Sequence, residues 1–239
     1  MFQRREPRQR IPDLADLSEG TITSLVAQKK DPDRVSVSLD DMFAFGLLAD
    51  VVVAAGLKKG QRLTPEEQHA LLREEERIGA KRAAMDVLSQ RARTAREVRD
   101  ALARRGFTEV STEEAVADME RLGYLDDGAY ARRFVTERAA GQGHGPQRLR
   151  ADLIKRGVSR DAIDAALEEL DREDLADSAR ALAAKRWHAL RSEPDLRKRK
   201  KKTTDFLLRR GFGFDTARAA LEAAMEAEPH EIEDDEWDA

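Results

Sequence analysis

The spacing of apolar residues changes along this chain near residue 64. Before it, TITSLVAQ and VSVSLDD alternate β-branched and polar residues on either side of KKDPDR, whose Pro32 and aspartates suit a turn. Residues 21–41 therefore predict a β-hairpin. The following run FAFGLLADVVVAAGL supplies apolar side chains to cover it, with Gly56 and Gly60 closing short elements. From Thr64 on, apolar residues fall three and four apart: Val98 with Leu102, Leu149 with Leu153, Ile163 with Ala166, Leu167 and Leu170. Such stripes predict amphipathic helices. Their starts are marked by Thr64-Pro65 with Glu67, Thr94 with Glu97, Ser111 with Glu114, Gly145-Pro146, Ser159 and Asp215, through side-chain caps, capping boxes and first-turn prolines.

One short pattern recurs within the helical part. Leucine, any residue, two basic residues, glycine and an apolar residue occur as Leu102–Phe107, Leu153–Val158 and Leu207–Phe212, 51 and 54 residues apart. Each copy has one predicted helix before it and one after, which defines a repeat of three helices. The expected fold is mainly α: tandem three-helix repeats in an elongated curved array, preceded by a small N-terminal β-hairpin module. The expected segments are a basic mobile arm (1–18), the hairpin module (19–63), a linker helix with repeat 1 (64–123), repeat 2 (124–171), repeat 3 (172–226) and an acidic disordered tail (227–239).

Composition supports thin packing. Of 239 residues only 41% are hydrophobic and 5% aromatic while 38% are charged, too polar for one thick core but suited to stacked repeats that bury only the faces between neighbours. The absence of cysteine excludes disulfides, thiol nucleophiles and cysteine-ligated zinc. His69, His144, His188 and His230 are scattered and form no HExxH spacing, so each reads as a surface or capping residue and no metal is expected. No apolar run approaches the roughly 20 residues of a membrane span, and MFQRREPRQR is not followed by the hydrophobic region of a secretory signal, so a cytoplasmic protein is expected.

Catalytic signatures are missing. Neither a GxSxG elbow nor a Walker motif occurs, and Asp126 and Asp127 read as helix caps rather than as an acid–base pair. The loop GQGHGP, ending at Pro146, has the look of a phosphate cradle at a helix N-terminus, yet no strand precedes it and no GK[ST] follows. No enzyme activity, cofactor or small-molecule substrate is expected.

Charge narrows the partner. The net charge of −4 hides a positive body, because the last fourteen residues hold eight acids and no Lys or Arg. Residues 185–210 carry eleven Lys or Arg against three acids, peaking in RKRKKK at 197–202. A basic body suggests a polyanionic partner. Gly106, Gly157 and Gly211 suit left-handed helix ends, and the basic pairs before them would offset the helix dipole by about 0.3–1 kcal/mol each. Capping needs no further cations on the same helices, and clustered like charge calls for an anion. The candidate binding residues are therefore Arg96, Arg99, Arg104, Arg105, Arg132, Arg133, Arg148, Arg150, Lys155, Arg156, Arg197, Lys198, Arg199, Lys200, Lys201, Lys202, Arg209 and Arg210. Tyr124, Tyr130 and Phe134 are expected mainly to hold repeat 2 together.

The segment from Gly123 through Tyr124, Leu125, Asp126, Asp127, Tyr130, Ala131, Phe134, Val135 and Arg138 to Gly145 and Pro146 resembles the signature of the RecX family of recombination regulators. The likeness extends to Arg91, Arg93, Thr94, Glu97, Leu102 and Gly106 and to the ending RRGFGFDTARAAL, and the hairpin segment is similar to the N-terminal extension of longer members. The RKRKKK run, the basic arm and the acidic tail depart from the pattern. The resemblance implies a protein that binds RecA–DNA filaments and negatively modulates RecA's ATP hydrolysis, filament extension and strand exchange, in recombination, repair and the SOS response. It implies contacts to the RecA recombinase filament, to single-stranded DNA and, secondarily, to double-stranded DNA. The alternative is a direct duplex-DNA-binding transcriptional regulator of helix-turn-helix type. Against it, Asn and Gln able to read adenine are almost missing from the basic helices.

Overall fold

A computed structural model describes residues 11–29 and 31–227. The charged stretches 1–10 and 228–239, which hold most of the expected arm and tail, lie outside the described residues. The chain divides into two compact units between Leu125 and Asp126.

The first unit begins with a four-stranded antiparallel sheet in the order β3-β2-β1-β4, where β1 is Gly20–Ala27, β2 Arg34–Leu39, β3 Met42–Leu48 and β4 Arg62–Leu63. The predicted hairpin is β1 with β2. The apolar run after it, expected only as cover, instead supplies β3. Asp40 and Asp41 both take positive φ (48° and 65°), forming the two-residue turn that joins β2 to β3. Short α1 (Ala49–Ala54) then completes a core of Ile22, Val37, Phe45, Leu47, Val51, Leu63 and Leu72. Residues 11–18, expected as mobile, pack: Ile11 lies against this core, Leu14–Asp16 form a 3-10 turn, and Gln68 Nε2 donates to Ser18 O at 2.8 Å.

Thr64 caps α2 (Pro65–Gln90) through a complete capping box with Glu67. The expected linker helix and the first helix of repeat 1 are thus one continuous element. Two adjacent buried acids on it face different neighbours. Glu75 accepts from Leu48 N at 2.5 Å and from Arg34 Nη1 at 2.7 Å, tying α2 to the sheet. Glu76 accepts from Thr108 N (2.9 Å) and from the hydroxyls of Thr108 and Ser111 (3.0 Å each). These bonds fix the start of α4 (Glu109–Arg121) at Thr108 rather than at the predicted Ser111, whose own hydroxyl is drawn inward. With α3 (Ala95–Arg104), α2 and α4 enclose Ala80, Ala84, Val98, Leu102, Phe107, Val116 and Met119.

The second unit holds repeats 2 and 3. Repeat 2 comprises α5 (Asp127–Gln142), α6 (Pro146–Lys155) and α7 (Arg160–Glu168), around Ala131, Phe134, Val135, Leu149, Leu153, Val158 and Ile163. Repeat 3 comprises α8 (Arg172–Ala189), α9 (Leu196–Arg209) and α10 (Phe214–Glu226), around Ala179, Ala183, Trp187, Leu207, Phe212, Ala217 and Leu221. Asp126 caps α5 through Ala129 N and Ser159 caps α7 through Ala162 N, as expected. Gly213 precedes α10, placing Asp215 in the first turn, where a carboxylate favours the helix dipole without capping.

The thrice-repeated pattern is the same helix ending each time. Gly106, Gly157 and Gly211 have φ of 82°, 81° and 91°. The next residue's N–H reaches back to the leucine: Phe107 to Leu102 O (3.3 Å), Val158 to Leu153 O (3.2 Å) and Phe212 to Leu207 O (3.2 Å). The glycine N–H bonds Ala103, Ile154 or Leu208 O. This is the Schellman arrangement, and its usual apolar contact is made by buried Phe107, Val158 and Phe212. Leucine, glycine and the last apolar residue are thereby explained without any partner.

Candidate nucleic-acid interface

The two cations of each pair part company at these helix ends. Arg104, Lys155 and Arg209, in the last helical turn, are exposed and have no ion pair among the described residues. Their partners turn back onto the protein. Arg105 Nη1 donates to Ala83 O at 3.0 Å, Arg156 lies 5.2 Å from the Phe134 ring centroid, and Arg210 Nη1 donates to Gln142 O at 2.6 Å while lying 5.2 Å from the Phe206 ring centroid. Each pair therefore combines one cation directed to solvent with one that is also held by the fold.

The RKRKKK run is helical, as part of α9, and carries much of its own counter-charge. Asp195 caps α9 through Lys198 N and lies 3.8 Å from Lys198 Nζ. Lys201 bonds Asp205 at 2.8 Å, and Lys202 bonds Glu193. These hydrogen bonds hold the carboxyls of Asp205 and Glu193 below their ordinary ranges. Arg199, expected at the binding surface, is 9% exposed: Nε and Nη2 donate to Trp187 O at 3.2 and 2.9 Å, with the guanidinium 3.8 Å from the Trp187 ring centroid. It satisfies the end of α8 from inside the repeat. The counter-charge that clustered cations require is supplied largely by Glu193, Asp195 and Asp205; Arg197 is exposed, and half-buried Lys200 has no ion pair among the described residues.

The remaining candidates divide similarly. Arg99 pairs with Glu113 (2.7 Å), Arg150 with Asp164, and Arg133 and Arg148 make long i,i+4 contacts with Glu137 (3.8 Å) and Asp152 (3.9 Å). Such surface pairs contribute about 0–1 kcal/mol and can open for a better anion. Arg96 and Arg132 are exposed without an ion pair among the described residues. Of the expected aromatic scaffold, Tyr130 and Phe134 stack at 6.1 Å, whereas Tyr124 is 61% exposed and buried Leu125 takes the inward place.

The loop before α6 does not cradle phosphate. Gly145 N donates to Arg210 O (2.8 Å) and Gln147 N to Gly211 O (3.0 Å), so the C-terminus of α9 caps the N-terminus of α6 across repeats 2 and 3. The approach has no room for a side chain: a Cβ on Gly145 would fall on the backbone of Gly211 and Phe212. His144, expected as a surface or capping residue, is 6% exposed, with Nδ1 unpartnered among the described residues. Burial, and then the positive charge of Arg148, push its pKa down against the opposing pull of Asp152.

Sequence reasoning passed over Arg138 and Arg186. Arg138 lies 5.3 Å from the Phe134 ring centroid and Arg186 5.7 Å from that of Phe206. The i,i+4 spacing of Phe134 and Arg138 was the available signal for the first; Arg186 and Phe206 lie on different helices and left none.

Family models match four segments of the chain: "Regulatory protein RecX N-terminal domain" at 20–64, and the first, second and third three-helix domains of RecX at 80–119, 126–167 and 173–221. A Regulatory protein RecX from Clostridium botulinum (strain Eklund 17B / Type B) is 32% identical over 208 residues, covering 87% of this chain and 97% of its own. The chain belongs to the RecX family. A RecX from Leuconostoc mesenteroides is 30% identical over 212 residues, 89% of this chain and 79% of its own. A solved structure titled "Crystal structure of regulatory protein RecX" superposes with a TM-score of 0.68 at 26% identity, covering 85% of this chain and 99% of that one. The RecX from Lactobacillus salivarius, at 23% identity and a TM-score of 0.60, shares the fold over 64% of this chain. A RecX regulatory role follows from these relatives, and no helix among the described residues is long and apolar enough to cross a membrane.

Proposed function

We propose that this RecX protein binds RecA–DNA filaments and negatively modulates RecA, lowering its ATP hydrolysis and restraining filament extension and strand exchange. One observation carries the reading at the level of residues. Each of the three repeats ends its middle helix in the same way and holds there an exposed cation with no ion pair among the described residues, Arg104, Lys155 or Arg209. A charge repeated once per structural unit suits a partner whose own charge repeats, as a nucleoprotein filament's does. Arg96, Arg132 and Arg197 add exposed positive charge on the repeats. The work is done by binding, without a cofactor: cations displace condensed counterions from phosphates, so affinity falls with salt.

The test is charge reversal at Arg104, Lys155 and Arg209 together, with binding to preassembled RecA filaments on single-stranded DNA followed by co-sedimentation. The expected result is weaker, less salt-dependent binding with the helical content intact. Unchanged filament binding and unchanged RecA ATPase inhibition would overturn the assignment of these residues.

A further inference from the structure

Outside the exposed cations, the second unit contains a second and differently built set of arginines. Phe134 carries two guanidiniums, Arg138 at 5.3 Å and Arg156 at 5.2 Å from its ring centroid. Phe206 likewise carries two, Arg186 at 5.7 Å and Arg210 at 5.2 Å. One residue links the pairs across the repeats: Gln142 accepts from Arg138 Nη1 through its side-chain oxygen at 2.7 Å and from Arg210 Nη1 through its backbone oxygen at 2.6 Å. The order Arg156, Phe134, Arg138, Gln142, Arg210, Phe206, Arg186 is thus a continuous row of guanidiniums and rings, drawn from four helices.

Two features set this row apart from a solvated basic face. Arg138, Arg186 and Arg210 have no ion pair among the described residues, although each is half-buried, where unbalanced charge is costlier than at the surface. Arg186 Nε and the Nδ1 of His144, one residue beyond the Gly143 that follows Gln142, are also buried with no hydrogen-bond partner among the described residues. Lying over the rings restrains the guanidiniums, and a restrained fork of donors suits bidentate contact with phosphate oxygens.

We propose that this row seats the phosphodiester backbone of single-stranded nucleic acid across repeats 2 and 3. Three cations without an ion pair among the described residues, Arg138, Arg210 and Arg186, suit a polymer bearing one charge per monomer. The guanidinium planes also offer the stacking surfaces that unpaired bases use. This deepens the DNA contact in the function proposed above, assigning it to half-buried arginines in addition to the exposed helix-end cations.

The experiment measures the anisotropy of a fluorescent oligothymidylate against the full-length protein, without RecA, from 50 to 200 mM salt. Each of Arg138→Gln and Arg186→Gln is expected to make the slope of log affinity against log salt shallower by about 0.7, while Lys185→Gln, an exposed cation on α8 outside the row, leaves it less changed. Trp187 emission, with Trp237→Phe as background, reports that repeat 3 remains folded. Arg138→Lys and Arg186→Lys keep the charge but lose the fork, and should recover the slope while binding more weakly than the parent. Slopes unchanged in folded Arg138→Gln and Arg186→Gln proteins would overturn the proposal. So would oligothymidylate failing to bind while RecA filaments bind and lose affinity in the same variants, an outcome that gives the row to an acidic protein surface and leaves filament regulation standing. Should Arg186→Gln unfold, Arg138→Gln carries the same test, since its donor bonds only the side chain of Gln142.

Discussion

Three glycines at the junction of repeats 2 and 3 separate two costs that a glycine-to-alanine change usually mixes. Gly143 has φ of +58°, and the one clash of its new Cβ would be with Leu182 Cδ1 at 2.7 Å, the end of a side chain that can rotate away, while Leu182 Cγ and Ser178 Oγ lie at an ordinary 3.5 Å. Gly143→Ala therefore carries mainly the left-handed backbone cost, about 1–2 kcal/mol. Gly145 has an ordinary φ of −78°, so alanine costs nothing there in torsion. Its Cβ would nevertheless fall on the backbone of Gly211 and Phe212, which cannot rotate away. Relief requires α6 to part from α9, losing the bonds from Gly145 N to Arg210 O and from Gln147 N to Gly211 O. Two hydrogen bonds at about 1 kcal/mol each and an overpacking cost of about 1–3 kcal/mol give a total of about 3–5 kcal/mol. At about 4–8 °C per kcal/mol for a domain of roughly this size, Gly143→Ala should lower the unfolding midpoint by about 4–16 °C and Gly145→Ala by about 12 °C or more. Gly211→Ala, with φ of +91° and a clash on the Arg148 backbone, should cost the most. The assay is thermal unfolding followed by Trp187 in a Trp237→Phe background. Finding Gly145→Ala no worse than Gly143→Ala would refute the view that backbone-to-backbone capping holds the two repeats together.

Further consequences can be checked on the same protein. Arg199→Ala should destabilise repeat 3 by about 2–4 kcal/mol and shift Trp187 emission to the red, because it leaves Trp187 O without its charged donor; Lys202→Ala, which removes a surface pair, should cost less than about 1 kcal/mol by urea unfolding. Asp118, held at about 2 by hydrogen bonds from Arg121 and Lys81, favours the folded state above its ordinary value of 3.8; that contribution should fade between about pH 4 and pH 2, and Asp118→Asn should flatten the acid limb of the first unit's unfolding curve. His144 titrates low, so the folded second unit prefers it neutral and loses stability as pH falls below 6.5. His144→Asn should remove that dependence in urea midpoints taken at pH 8 and pH 5.5; a variant as pH-sensitive as its parent would refute this assignment.

The repeat was legible because its signal is local. A Schellman ending needs a leucine, a glycine and an apolar residue at fixed offsets, and all three copies wrote them into the sequence. The third strand was less visible, since Asp40 and Asp41 look like the end of a strand until their positive φ values reveal a turn. Ser111 and Thr108 are both able caps; Glu76, 32 residues before Thr108, chooses between them. The candidate interface was legible as charge but not as geometry. A basic pair shows two cations, and only the packed fold shows that Arg104 faces solvent while Arg105 bonds Ala83 O. The RKRKKK run misled for a related reason: Arg199 finds Trp187 on another helix, and three carboxylates outside the run neutralise three of its lysines.

The central claim, that this RecX protein restrains RecA on DNA, is met most directly by titrating it into RecA hydrolysing ATP on single-stranded DNA. ATPase should fall with added protein, and charge reversal at Arg104, Lys155 and Arg209 should shift the titration to higher concentration. An ATPase rate that stays constant while the protein footprints a specific duplex sequence would contradict it.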